Sequence, residues 1–313
     1  MKSIFFAILI TIITFSISIA EDSEFEINQN LVYKDQAGLV SIQTKDGVEL
    51  AQFSYSGNKN PHISSIKTLS GTQIIDSNSN SLRFGFGDIN GFDFWNLNNA
   101  SILIEHLTFD YQIPGYWEIE TRNMWKPKKV SPVLYDERSH IFHTTTDGFL
   151  ITTRIDVIGA LSDSKINNEK YGFFGLKLPF RFWGEEPTAV IINSEGDVGE
   201  QCYNKNAQWI TVYGKIGDKT AGVTIIDSPD NKNFPSKWII QQEGLVCINP
   251  FIDSDSKETT IKANSKEHFH FSILIHDKNL SAERINIISE KIYGRPAPPI
   301  KQIKKDIQTN SEE

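Results

Sequence analysis

Apolar and polar residues alternate with a period of two along much of the chain. In the segment 149–158, Phe149, Ile151, Thr153, Ile155 and Val157 fall on one face, while Leu150, Thr152, Arg154 and Asp156 fall on the other. Successive side chains of an extended strand point to opposite sides, so this pattern predicts a strand with one buried face. Asp147-Gly148, which follows the segment around Phe142, tolerates the positive φ of a hairpin turn. Further strands are predicted near 38–44, 48–56, 62–69, 82–87, 101–112, 116–120, 172–180, 188–192, 208–216, 221–226, 238–248 and 268–276, with Gly, Asn and Asp between them. So many short strands predict a mainly β protein, a two-sheet antiparallel β-sandwich.

One stretch departs from that period. Ala282, Ile285, Ile288 and Ile292 make an apolar stripe at helical spacing, Ser281 precedes it as an N-cap, and Gly294 stands where the helix stops. Leu280 is placed to staple onto Ile285. A short C-terminal helix is therefore expected to pack on the sandwich. Residues 1–20 differ again. Lys2, the apolar run Ile4–Phe15 and Ser18-Ile19-Ala20 form the pattern of a secretory signal peptide, with an uncleaved anchor as the alternative. No later segment approaches spanning length, so no membrane contact is expected after cleavage, and the mature chain is expected to be secreted or periplasmic. The expected organisation is a signal at 1–20, a single β-sandwich domain over 21–294 and a flexible tail over 295–313.

Composition narrows the function. The 313 residues are 39% hydrophobic, enough for a large core. They carry 31 Lys and Arg against 39 Asp and Glu, a formal charge of −8, which argues against nucleic acid as a partner. Cys202 and Cys247 are the two cysteines, and Cys247 sits in the apolar run 244–251. They read as buried thiols rather than as a disulfide, and two cysteines unaided make no zinc site. No metal or other cofactor is expected. Walker, dinucleotide, G-x-S-x-G and H-E-x-x-H motifs do not occur.

Four places have the residue types for chemistry. The segment 76–95, DSNSNSLRFGFGDINGFDFW, joins Asp76, Asp88, Asn90 and Asp93 to aromatics ending in Trp95. Carboxylates with aromatic rings suit sugars, which offer hydroxyls to acids and C–H faces to rings; the same aspartates also serve hairpin turns. Glu195 and Asp197 share a loop and are candidates for acid–base work. Asp227, Asn231, Trp238 and Asn249 belong to a long Pro-containing connection. In the last strand, His268, His270, Ser272, Leu274 and His276 share a face expected to meet solvent. His276 lies roughly 20 Å from His270 along an extended strand, so the three imidazoles do not grip one ion. His140 and His143 fall on opposite faces of any strand.

Taken in order, GDINGFDFW at 87–95, TTDGFLITTRIDV at 145–157, NSEG at 193–196, WITVYGKIGDKTAGVTIIDSPDN at 209–231 and FPSKWIIQQEGLVCINPF at 234–251 resemble a family of exported bacterial proteins labelled PmoA, or "methane oxygenase". The resemblance implies a β-rich protein acting on sugars; the label itself implies a metal-dependent oxygenase. Ser77-Asn78-Ser79-Asn80-Ser81 stands where the family has a histidine-rich stretch, and Ser228, Ile239 and Gln241 replace two further histidines and an arginine. The expected function is carbohydrate or glycan binding at a His-poor site, with Trp95 and Trp238 as platforms and Asp76, Asn90, Asp93, Asn231, Asn249 and His276 around the ligand. The alternative is a hydrolase or lyase with Glu195, Asp227 and Asp88 as candidate catalytic carboxylates. Convergence of those carboxylates on one cavity would favour the enzyme.

Overall fold

The computed structural model describes residues 24–294 apart from 29, 56–59, 76–81, 111–116, 168–171 and 253–255. The signal segment, the tail and Asp76 lie outside the described residues. Two antiparallel sheets pack face to face. The first has nine strands, in the order Ala189–Asn193, Trp209–Ile216, Lys219–Asp227, Lys266–His276, Phe149–Gly159, Leu134–Thr145, Glu118–Pro127 and Ala100–Asp110, with Ile27–Asn28 pairing Leu134–Thr145. The second has eight: Lys237–Ile240, Leu245–Asn249, Gly172–Lys177, Leu82–Phe86, His62–Ser64, Glu49–Ser54, Leu39–Thr44 and Leu31–Gln36. The chain is mainly β with a short C-terminal helix, as its alternation requires.

The inward rows are the alternating apolar positions. Phe149, Ile151, Ile155 and Val157 are each at most 1% exposed and meet Phe84, Phe86, Phe173 and Phe174 from the other sheet in one core. Phe173 lies edge-on to Phe269 at 5.2 Å and Phe174 stacks on Phe271 at 4.9 Å, so rings from both sheets interlock.

The helix Ala282–Tyr293 forms where its capping residues place it. The Ser281 hydroxyl accepts from the Arg284 backbone N–H at 3.1 Å, and Gly294 closes the helix at φ 68° with its N–H on the Glu290 carbonyl. Ile285 and Ile288 press with Leu280 onto Leu150, Trp209, Ile226 and Leu274. This corrects the expectation that the outward row of the last strand meets solvent. Ser272, Leu274 and His276 are fully buried, because the helix stripe needs an apolar seat and finds it there. Only the His268 end of that row stays open. The thiols of Cys202 and Cys247 are both free and buried, and burial pushes Cys202 up to about 12.

Candidate functional site

Beside the helix, the outer face of the nine-stranded sheet is bare. The same alternation that sends Ile119, Thr121 and Trp125 into the core turns Glu118, Glu120 and Arg122 outward. Neighbouring strands contribute His106 and Thr108, Glu137 and Ser139, and Arg154 and Asp156. These side chains line a groove of about 540 Å³. Most of them are paired. Arg122 Nη1 lies 3.0 Å from Glu137 Oε1, and Lys266 Nζ bridges Glu137 Oε2 at 3.1 Å and Asp156 Oδ2 at 2.6 Å. His268 Nδ1 is 2.6 Å from the other Asp156 oxygen, and the Ser139 hydroxyl donates to Glu118. Glu120 has no hydrogen bond or ion pair among the described residues. Partial burial, then the charges of Glu118, Asp110 and Glu137, raise its carboxyl pKa. The groove thus sets one carboxyl with a raised pKa beside carboxylates engaged in ion pairs and hydrogen bonds.

The segment ending at Trp95 uses its acids to build turns. Asp88 Oδ1 accepts from the Gly91 N–H at 2.8 Å, and Asn90 holds Lys165 through both its backbone N–H and its side chain. Asp93 accepts from the N–H groups of Trp95 and Asn96 and from the side-chain amides of Asn96 and Asn98. Trp95, 5% exposed, lies on Cys247, Leu245 and Ile239 and lines a separate cavity of about 480 Å³. Asp88 and Asn90 line a third, of about 350 Å³.

The remaining predicted residues sit elsewhere. Glu195 is half-buried in a turn whose N–H groups at Glu195 and Asp197 are taken by Asn193 Oδ1. Asp227, 1% exposed, accepts from Asn231 Nδ2 at 2.7 Å and the Ser236 N–H at 2.8 Å; burial pushes its carboxyl up to about 7 against those bonds. Asn231 also clamps His270 by its backbone, giving Nδ2 to the His270 carbonyl and taking the His270 N–H. Trp238 is fully buried, its indole N–H on the Ala207 carbonyl at 2.7 Å, so it offers no platform to a ligand. Asn249 is buried and holds the Phe251 N–H. His276 is buried between Thr224 and the Lys278 carbonyl. Neither Glu195 nor Asp227 lines any of these three cavities, and Asp88 lines a cavity apart from both. On these three cavities the predicted carboxylates do not meet.

The groove itself escaped the sequence reading. Its signal was the outward half of each alternating strand, charged at Glu118, Glu120, Arg122, Arg154 and Asp156, where surface residues are ordinarily charged too. Among the described residues no group of three or more His, Cys, Asp or Glu side chains is placed to hold a metal ion. Among those residues, too, no helix is long and apolar enough to cross a membrane.

A family model described as a family of unknown function, DUF6807, matches residues 41–289. No curated protein matches the chain. Similar solved structures include a variant of a glycoside hydrolase family 97 enzyme from Pseudoalteromonas sp. strain K8, 14% identical with a TM-score of 0.43, matched over 76% of this chain and 36% of that one. A GH36 α-galactosidase from Geobacillus stearothermophilus is 8% identical with a TM-score of 0.42, over 80% and 42%. A putative aldose 1-epimerase from Escherichia coli K12 is 9% identical with a TM-score of 0.36, over 82% and 100%. The chain thus spans little more than a third of the length of the first of these.

Proposed function

The chain belongs to the DUF6807 family, whose function is unknown, and for this member we propose that the charged groove of the nine-stranded sheet binds carbohydrate. The observation that carries this reading is the meeting, in one groove of about 540 Å³, of carboxylate acceptors with guanidinium donors from three adjacent strands. Sugar hydroxyls both donate and accept, so they are matched by a lining that does both, and the volume falls within the range of small-molecule sites. Side chains on a sheet face hold their geometry better than side chains on loops.

Acid–base turnover of a sugar is the second reading. Glu120 is biased toward the proton-bearing form, while Glu137 and Asp156 lie against Arg122, Lys266 and His268. A carboxyl with a raised pKa beside ion-paired carboxylates supplies an acid and a base.

A glycan array followed by calorimetry and a reducing-end release assay on the purified chain tests both. Glycan binding is expected, weakened about tenfold or more by Arg154→Ala or Asp156→Asn, since each removes charge-assisted bonds. Glu195→Gln, outside the groove, is expected to leave binding unchanged. Binding to no glycan, or binding indifferent to both groove substitutions, would sink the reading. Product release that Glu120→Gln abolishes would move it from a binding protein to an enzyme. We also infer from residues 1–20 that the ligand is met outside the cytoplasm; N-terminal sequencing of exported protein should begin at Glu21.

A further inference from the structure

The cavity beside Trp95 has a different character from the groove. It opens on the outer face of the eight-stranded sheet, walled by the 95–101 segment. Arg83, Lys128 and His62 line it together with Asn60, Asn98 and Ser101, and no carboxylate does so among the described residues. Among the described residues of a chain with 39 acids and a formal charge of −8, that is a local reversal of sign. A concave, partly desolvated site focuses such a potential on whatever small ion enters it.

The cations are placed, not incidental. Arg83 alternates with the core residues Leu82 and Phe84, so its guanidinium projects outward and comes to rest 5.8 Å from the centre of the Trp95 ring. Trp95 in turn fits because Gly175, paired with Arg83 across the strands, has no Cβ to meet Cys247 Sγ and the indole. Burial lowers the Arg83 pKa, the mark of a guanidinium partly stripped of water. Asp93, which acts on Arg83 through its charge, is committed to four donors of its own turn. Lys128 is exposed, with Nζ 3.2 Å from the Asn98 carbonyl at the rim.

We propose that this cavity binds a small anionic ligand, a carboxylate or sulfate group seated on Arg83 and Lys128 with the Trp95 indole as its apolar wall. The site is separate from the charged groove and does not depend on the groove's ligand.

Calorimetry on the full chain carrying Arg154→Ala, which weakens the groove, tests it with three probes: sodium glucuronate, sodium sulfate and methyl glucoside. Glucuronate is expected to bind, more weakly as salt is added, and methyl glucoside is not. Sulfate binding beside glucuronate would mark a site for any oxyanion; glucuronate alone would mark a carboxylate-bearing sugar. Lys128→Glu is expected to raise Kd about tenfold or more, and Arg83→Gln likewise, since each removes a charge-assisted bond. Lys128 is exposed, so its variant keeps the fold, as an unchanged melting temperature will record. Equal binding of glucuronate and methyl glucoside, no binding of either anion, or indifference to Lys128→Glu would overturn the proposal. Failure of neutral glycans to bind the wild-type groove would leave it standing.

Discussion

His276 is held with Nε2 3.1 Å from Thr224 Oγ1 and Nδ1 2.5 Å from the Lys278 carbonyl, and burial pushes its pKa down to about 4. A lowered imidazole pKa stabilises the folded state above the unfolded value near 6.5, and that contribution is lost as pH falls toward the folded one. The full difference is on the order of 3 kcal/mol. His276→Gln should cost about 1 kcal/mol at neutral pH for the lost hydrogen bond. Because glutamine takes up no proton, the gap should close and then reverse between about pH 6.5 and pH 4, leaving the variant about 2 kcal/mol the more stable at the acid end. Urea unfolding across that range measures it; parallel curves would refute the assignment. Gly175 makes a steric prediction instead. A Cβ there would lie 2.7 Å from Cys247 Sγ and 3.0 Å from the Trp95 ring. Gly175→Ala should therefore cost about 1–3 kcal/mol by overpacking and shift Trp95 toward solvent, read as lower stability with a red-shifted fluorescence. Residue types alone marked Trp95 and Trp238 equally as platforms. Trp95 borders a cavity of about 480 Å³ while Trp238 is fully buried, because exposure depends on what packs across from a side chain and not on the side chain itself.

Among elements, the helix was fully legible, since its cap, stripe and stop act within a dozen residues. Ile288→Ala should cost about 2–5 kcal/mol and loosen the helix from its seat. Trp209, whose indole N–H meets Asn286 Oδ1 at 2.7 Å, reports on that loosening by fluorescence; an unmoved emission would show that the helix stays docked. Strands were legible where one face is apolar throughout, as in Phe149–Gly159. Leu134–Thr145 escaped the pattern because its inward row includes Asp136, Arg138 and His140, polar groups at positions where the template demands apolar ones. The predicted strand 238–248 is a hairpin, Lys237–Ile240 and Leu245–Asn249, turned at Gly244 with φ 87°. The apolar run continues through the turn and hides it. The groove was illegible for a further reason: alternation says which residues face outward, but not which strands from 106 to 156 lie side by side.

At the scale of the whole molecule, the two sheets are joined by more than apolar contact. Arg138 reaches from the nine-stranded sheet to Asn60 Oδ1 at 3.3 Å and stacks 4.7 Å above the Phe84 ring of the other. Its charge is met by Asp136 at 2.7 Å and 2.8 Å, and Asp136 also takes the side-chain amide of Asn123 and the indole N–H of Trp125. Both charged side chains are at most 1% exposed. A buried pair of this kind adds little net stability over an apolar substitute, but breaking it strands a charge in a medium that cannot solvate it. Arg138→Met should accordingly cost about 3–5 kcal/mol, with Asp136 left uncompensated. The exposed Arg122–Glu137 pair, at 3.0 Å, is chemically the same and should lose no more than about 1 kcal/mol in Arg122→Met. Urea unfolding of the two variants side by side isolates burial as the cause. Equal losses would mean that burial adds nothing to the cost of breaking this pair.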